Sequence, residues 1–303
     1  MKHIIEAQQF SREFLEKTLF PLAREMQIIV RRGGSKCFPK KRMITFFYEP
    51  STRTRASFEI AMDLLGGKVV FSTENAAQFS SAAKGETLRD TIQVLNRYRP
   101  DIIVLRHKEE GSAKLAAENS EAPIINAGDG AGQHPTQALL DLYTIQKRFG
   151  HIDGLSIAMI GDLARGRTVR SLSYLLGKFS EIKIYFVSPN HLRIGDDIKN
   201  YLTRHGVSFY ETTDLRAIMP LVDVIYQTRL QRERGTTVQI DADFHITPEI
   251  TALMKPETII MHPLPRNEEL ALEVDQDPGA VYLTDQIDSG LFVRMALLKI
   301  ILF

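Results

Sequence analysis

Nine short apolar runs punctuate the chain, at residues 43–48, 68–72, 101–107, 123–126, 155–161, 183–188, 207–210, 223–227 and 258–262. Many are rich in Ile, Val and Phe, and several stay apolar at successive positions instead of alternating. Strands buried on both faces read this way, so the runs predict parallel strands. Between them the apolar positions change to helical spacing. Residues 52–65 end at Gly66-Gly67, a C-cap signal. Residues 86–98 stop before Pro100, and 167–176 end at Gly177. Residues 135–149 place Leu139, Leu142 and Ile145 on one face and end at Gly150. Strand–helix alternation predicts an α/β class with doubly wound, mainly parallel sheets flanked by helices.

The alternation runs twice. Four runs precede the helix at 135–149, and a second set follows the turn at 151–154. Two domains are therefore expected, over 1–149 and 150–287, joined by long helices. A final helical pattern at 288–303 is expected to pack back on the first domain, beside an early helix around 14–30. Two polar stretches exceed the usual loop length, 73–85 and 228–246. Both are candidate binding loops or lids.

Composition narrows the function classes. A chain of 303 residues suits two domains, and 44% hydrophobic residues supply two cores. Net charge is +1, which removes the broad basic field of nucleic-acid binders. Any anion site must come from local arginine placement. The single cysteine, Cys37, excludes an internal disulfide and leaves no thiolate-rich metal site. No apolar run reaches the roughly 20 residues of a membrane span, and 1–6 lacks a signal-peptide core. The expected location is the cytoplasm, with no membrane or nucleic-acid partner.

Candidate chemistry clusters after the strand runs. Phe46-Phe47-Tyr48-Glu49-Pro50-Ser51-Thr52-Arg53-Thr54-Arg55 leads from a strand through a proline turn into a helix start. Unpaired helix N–H groups, the hydroxyls of Ser51, Thr52 and Thr54, and the Arg53 fork make a phosphate cradle. It is no P-loop, because Gly-x4-Gly-Lys-Ser/Thr is missing. An N-capped helix with surface arginines is the alternative. Arg106 stands at the end of the third run, where ligands bind in open α/β sheets. His134 opens the helix at 135–149, where the helix field favours a neutral imidazole that can donate to a carbonyl oxygen. Gly161-Asp162-Leu163 departs from Gly-x-Gly-x-x-Gly, which argues against a dinucleotide, whereas Arg167 suits a carboxylate. Arg229, Gln231, Arg232 and Arg234 follow the eighth run. Pro263 and Pro265 flank Leu264 and hold backbone carbonyls outward.

The ten-residue block at 46–55 closely resembles the signature of the aspartate and ornithine carbamoyltransferase family. Further matches follow in the family's order: Val104-Leu105-Arg106-His107, His134-Pro135-Thr136-Gln137, Arg167, Thr228-Arg229-Leu230-Gln231, His262-Pro263-Leu264-Pro265-Arg266 and Gly290-Leu291-Phe292-Val293-Arg294. The resemblance implies carbamoyl transfer from carbamoyl phosphate to an amino acid, without metal or organic cofactor. It implies that Ser51, Thr52, Arg53, Thr54, Arg106, His134 and Gln137, with the backbone of Leu264 and Pro265, bind carbamoyl phosphate. Arg53, Thr54, Arg106 and His134 would be catalytic. Lys84, Arg167, Arg229 and Gln231 would bind the amino acid. Residues Ser80 and Lys84 would reach a neighbouring subunit's site, which implies a homotrimer, with regulatory chains or a dihydroorotase as further possible partners. Thr-Arg-x-Gln favours aspartate. The ornithine enzymes' Ser-Met-Gly segment and their cysteine near 262–266 are absent. A transcarbamoylase for another amino acid such as ornithine, or a phosphate-binding protein without transfer activity, are the alternatives.

Overall fold

The computed structural model describes residues 1–229 and 242–303. Two compact units emerge: Met1–Tyr143 with Asp288–Phe303, and Thr144–Ile287. The division falls between Tyr143 and Thr144, inside a helix, whereas the sequence pattern puts the boundary at that helix's end. A continuous apolar stripe gives no sign of where one helix passes from one core to another.

In the first unit, β1 (Arg42–Phe47), β2 (Lys68–Thr73), β3 (Ile102–His107) and β4 (Ile124–Asp129) form one parallel sheet in the order β2-β1-β3-β4. Helix α1 (Phe20–Arg31) precedes it, and α2 (Thr52–Leu64), α3 (Leu88–Arg97) and α4 (Ser112–Asn119) follow β1, β2 and β3. Ile44, Phe46, Ile103, Leu105 and Ile124 pack on Ile92, Leu95 and Ala116 of α3 and α4. The opposite face buries Met43 and Phe47. Alternating residues are thus buried on both sides, which is why the run reads as continuously apolar. The N-terminus adds to the β4 edge: Ile4 N–H donates to the Ile124 carbonyl at 2.8 Å, and Asn126 N–H to the Ile4 carbonyl at 2.7 Å.

In the second unit, β5 (Ser156–Ile160), β6 (Lys183–Val187), β7 (Ser208–Thr212), β8 (Val224–Gln227) and β9 (Ile259–Met261) form a parallel sheet in the order β7-β6-β5-β8-β9. All nine strand runs of the sequence become strands. The connection α5 (Pro135–Phe149) leads into this unit, α6 (Arg167–Leu176) follows β5 and α7 (Asp196–Arg204) follows β6. The C-terminal α8 (Asp285–Leu302) starts three residues before the expected 288. Its later part packs in the first unit: Lys299 Nζ pairs with Glu25 at 2.7 Å, and the Arg294 guanidinium lies 5.4 Å from the Phe58 ring centre.

Helices α4 and α7 escaped the sequence reading, since eight or nine residues hold little more than two turns of periodicity. The expected loop at 73–85 also contains two helical turns, Ala76–Phe79 and Ser81–Lys84. The Ser80 hydroxyl stitches them, donating to the Ala76 carbonyl at 2.6 Å and accepting from Ala82 N–H at 3.2 Å. Turns this short leave no hydrophobic period to detect. Among the described residues, no helix is long and apolar enough to cross a membrane.

Candidate functional site

Each sheet reverses its winding at one place. In the first, β1 is followed outward by β2, and the chain then returns to add β3 on the other side of β1. In the second, β5, β6 and β7 run one way and β8 is added beside β5. Connections diverge at such points, which opens a crevice beyond the carboxyl ends of the two strands. Ser51–Thr54 and Arg106 follow β1 and β3 at the first of these points, and Arg167 and Arg229 follow β5 and β8 at the second.

At the first crevice, Tyr48 N–H donates to the Arg106 carbonyl at 2.9 Å, so the ends of β1 and β3 stay in register. The chain then turns at Pro50. Ser51 N–H donates to Glu74 Oε1 at 2.7 Å, and α2 begins at Thr52. Ser51 makes no side-chain cap and the first turn carries no acidic residue. The partial positive charge of the helix end and its early N–H groups are therefore left for an anion. Thr54 is buried. Arg53 is exposed overall and, among the described residues, has no ion-pair or hydrogen-bond partner, while partial burial draws its pKa below the ordinary arginine value. Arg55 differs: Glu74 Oε2 lies 3.2 Å from its guanidinium and Ser72 Oγ 3.1 Å. One arginine of the pair is tied down and the other is available.

Arg106 is held between two elements, with Nη1 donating to the Ala127 carbonyl at 3.3 Å and Nε 3.4 Å from Glu49 Oε2. Its neighbour His107 packs edge-on against Tyr48 and accepts from Glu109 N–H at Nδ1, at 3.1 Å. Burial lowers the His107 pKa, which suits that accepting nitrogen. His107 thus holds the corner after β3.

Beyond β4, Asp129 fixes the loop to His134. Its Oδ1 accepts from Gln133 N–H at 2.9 Å and its Oδ2 from Gly111 N–H at 3.0 Å. The His134 carbonyl accepts from Gln137 and Ala138 N–H at 3.1 and 3.2 Å and starts α5. His134 and Gln137 are both buried. Gln137 Nε2 donates to Asp141 Oδ1 at 2.9 Å, which fixes the side-chain amide. Strands β1, β3 and β4 are neighbours, so Ser51–Thr54, Arg106, His134 and Gln137 lie at one end of one sheet. Lys84 and Ser80 follow the edge strand β2. Lys84 is exposed, whereas Ser80 spends its hydroxyl on the local turn.

At the second crevice, Thr228 N–H and Oγ1 both donate to the Ile160 carbonyl, at 2.8 and 2.9 Å. Gly161, at φ +116°, lies so close that a Cβ would sit 2.4 Å from the Thr228 carbonyl oxygen. The turn after β5 and the residue after β8 therefore emerge side by side. Asp162, whose pKa is raised by burial, accepts from Arg165 N–H at 3.0 Å and shapes the turn into α6. Arg167 is the first residue of that helix and is half-buried. Arg229 is exposed and has no partner among the described residues. Gln231, Arg232 and Arg234 lie outside the described residues. On the other side of β8, β9 runs into a turn with a cis Leu264–Pro265 bond and Leu264 at φ +54°.

The sequence marks His262 as a structural residue of its motif and gives no role to Glu269. Both are buried, with His262 Nε2 3.0 Å from Glu269 Oε1, and His262 Nδ1 accepts from Leu264 N–H at 2.8 Å. Burial alone would raise the Glu269 pKa, but hydrogen bonds from His262 and from Asn267 N–H outweigh it and hold the carboxyl below its ordinary value. The histidine was visible in the motif; its partner, seven residues on, carried no signal.

A family model described as the carbamoyl-P binding domain of aspartate/ornithine carbamoyltransferase matches residues 2–147. A second, described as the Asp/Orn binding domain, matches residues 153–301. The chain belongs to the aspartate/ornithine carbamoyltransferase family. Among curated carbamoyltransferases, the chloroplastic aspartate carbamoyltransferase of Arabidopsis thaliana is 52% identical over 100% of this chain and 78% of its own length. The aspartate carbamoyltransferase catalytic subunit of Methanothrix thermoacetophila is 48% identical over 99% of this chain and 98% of its own. The catalytic subunit of Methanocaldococcus jannaschii aspartate transcarbamoylase superposes with TM-score 0.90 at 45% identity, covering 99% of this chain and 98% of that one. The Trypanosoma cruzi aspartate transcarbamoylase in complex with N-(phosphonacetyl)-L-aspartic acid has TM-score 0.90 at 40% identity, covering 98% and 94%. Within the carbamoyltransferase family, the β1–β3 crevice lies in the part matched as the carbamoyl-P domain. The β5–β8 crevice lies in the part matched as the Asp/Orn domain.

Proposed function

We infer that the chain transfers the carbamoyl group of carbamoyl phosphate to the α-amino group of L-aspartate, giving N-carbamoyl-L-aspartate and phosphate, a step of pyrimidine biosynthesis. The observation that carries this reading is that Arg53 and Arg229, which have no partner among the described residues, stand at the two switch points of a chain 52% identical to an aspartate carbamoyltransferase.

In this reading Ser51, Thr52, Arg53, Thr54 and Arg106 hold the phosphate, with the start of α2 directed at it. The amine nitrogen attacks the carbamoyl carbon, and negative charge grows on the carbonyl oxygen. Thr54, Arg106 and His134 donate to that oxygen, each worth about 2–4 kcal/mol as a preorganised donor. The carbon–oxygen bond to phosphate then breaks, and the amine proton passes to a phosphate oxygen. Gln137, fixed by Asp141, holds the carbamoyl amide with the carbonyls of Leu264 and Pro265. Arg167, Arg229 and Gln231 hold the carboxylates of aspartate, with Lys84 added from a neighbouring subunit. Both reactants are anions, so positioning them supplies much of the rate.

The assembly that goes with this reading is a homotrimer in which Ser80 and Lys84 serve the adjacent chain. Val70, Phe71 and Tyr98 line one apolar hollow beside β2 and α3, and Phe79 and Val94 are also exposed. Contiguous apolar surface of this kind marks an association face. Chain mass in solution tests it. Mixing inactive Lys84→Ala with inactive Arg53→Ala chains should restore activity, because mixed trimers contain one intact set of groups. The plant relative named above is chloroplastic; we place this chain in the cytoplasm, with cell fractionation as the check. Regulatory chains or a dihydroorotase would appear as copurifying species.

The deciding assay offers carbamoyl phosphate with aspartate or ornithine and measures ureido product. Product with aspartate alone is expected. Product with ornithine, or none with either amine, overturns the reading.

A further inference from the structure

We propose that His262 and Glu269 are positioning residues, which hold the Leu264–Pro265 turn so that its backbone carbonyls face the substrate. The proposal rests on the carbamoyltransferase reading above, and goes beyond it in assigning the groups that aim the turn.

Leu264 sits at φ +54°, a region that side-chain-bearing residues rarely occupy. A leucine stays there only where its surroundings over-determine the backbone. The nearest such constraint is the His262 ring, whose Nδ1 accepts from Leu264 N–H at 2.8 Å across two residues. A backbone amide can only donate, so Nδ1 must be the unprotonated nitrogen. The imidazole proton is then on Nε2, which donates to Glu269 Oε1 at 3.0 Å. Glu269 Oε1 also accepts from Asn267 N–H at 2.9 Å, on the far side of the same turn. The backbone of His262 is anchored in addition: its N–H donates to Gln286 Oε1 at 3.0 Å. One carboxylate therefore sets the tautomer and ring angle of one histidine, and the ring sets the backbone angle at Leu264.

Burial makes a bland explanation insufficient. The side chains of His262 and Glu269 are 1% and 3% exposed. A buried carboxylate–imidazole pair is costly to desolvate compared with apolar side chains of the same volume. What this pair supplies, and apolar filling cannot, is a directed acceptor for one strained amide. An orienting partner behind a functional group is a recurring device, best documented at metal sites. An error of about 1 Å in placing a reacting group can lower rate about 100-fold.

Two isosteric substitutions separate the roles of the ring nitrogens. In His262→Asn the side-chain oxygen can replace Nδ1 as acceptor for Leu264 N–H. In His262→Gln the amide NH2 can replace Nε2 toward Glu269, but the acceptor at Leu264 is lost. We expect His262→Gln to lower kcat about 100-fold with little change in KM, and His262→Asn to stay within about 10-fold of the parent, as expected for a misplaced group. Glu269→Gln keeps both acceptor contacts and should stay near the parent, whereas Glu269→Ala should fall with His262→Gln. Hydrogen exchange of the Leu264 amide, read by mass spectrometry on the native oligomer, reports the turn without any assay. It should speed up in His262→Gln and Glu269→Ala and remain slow in His262→Asn. Equal losses in the Asn and Gln variants, or losses that follow thermal stability alone, overturn the proposal. So does unchanged exchange at Leu264. If the parent protein makes no ureido product, the functional reading fails, and the exchange pattern still decides the positioning role.

Discussion

The amide of Tyr48 and the carbonyl of Arg106 meet at 2.9 Å, joining the ends of β1 and β3. Residues 58 positions apart in sequence are thereby placed on either side of one crevice, with Arg53 a turn beyond the first and the Arg106 guanidinium on the second. Glu49 lies 3.4 Å from that guanidinium and half-buried Arg106 also reaches the Ala127 carbonyl.

Arg53→Ala is expected to lower kcat/KM by about 100- to 1,000-fold, the cost of one preorganised donor. Because Arg53 has no partner among the described residues, its loss should leave the midpoint of thermal unfolding nearly unchanged. Steady-state kinetics beside calorimetry checks both halves. Loss of stability in step with activity would contradict the role.

Arg106→Lys should behave almost as poorly as Arg106→Ala. Lysine keeps the charge but lacks the planar fork that can reach Ala127 and an anion together. Phosphate inhibition constants for the two variants check this; near-normal affinity in Arg106→Lys would show that charge alone suffices.

Gly161→Ala should disrupt the second crevice. The added Cβ would meet the Thr228 carbonyl oxygen at 2.4 Å and would need φ +116°. A cost of at least about 1–3 kcal/mol follows from the backbone conformation alone. Displacement of Arg229 should raise the KM for aspartate more than that for carbamoyl phosphate. Denaturant unfolding and the two KM values test it.

Arg294 is buried in the first unit, and burial pulls its pKa down to about 10, with Asp141 the charge acting in the opposite direction. Arg294→Leu would leave the fully buried Asp141 without that compensation, at a cost of about 3–5 kcal/mol. Adding Asp141→Asn should recover part of the loss, since a neutral amide needs no counter-charge. A double-mutant cycle by urea unfolding measures the coupling, and strict additivity would count against it.

Acid should weaken the second unit through Glu269 and Asp275. Glu269 is held below its ordinary value by hydrogen bonds that outweigh burial, and Asp275 is held down chiefly by Arg266. A folded-state pKa below the unfolded one stabilises the fold above the unfolded value, and that contribution is lost as pH falls through the folded value. The loss should therefore begin near the ordinary carboxylate values of 4.5 and 3.8 and grow below them. Unfolding midpoints from pH 7 to about 3 should converge for the parent and Asp275→Asn as pH drops.

Local patterns carried the strands, the longer helices and most of the candidate residues. Continuous apolar runs, glycine stops and a proline before hydroxyls are consequences of short-range backbone geometry, so they are written in contiguous residues. These patterns named Arg53 and not Arg55 for the phosphate cradle, but without the contact that sets the two apart. Both lie in the first turns of α2, and only the position of Glu74, after β2, ties one and leaves the other available. Nor do the patterns separate Ser80 from Ser81 as the loop serine for a neighbouring site; the structure adds that the Ser80 hydroxyl bonds within its own turn.

By itself, then, the sequence determined which segments are buried, where they stop, and that hydroxyl and arginine groups follow the strand ends. The tertiary structure decided that β1–β3 and β5–β8 are the switch points, and that Glu269, through His262, sets the Leu264 backbone. Burial pattern is a property of each segment and survives in its spacing. Which segments become neighbours depends on the packing of whole sheets, which no single stretch of chain encodes.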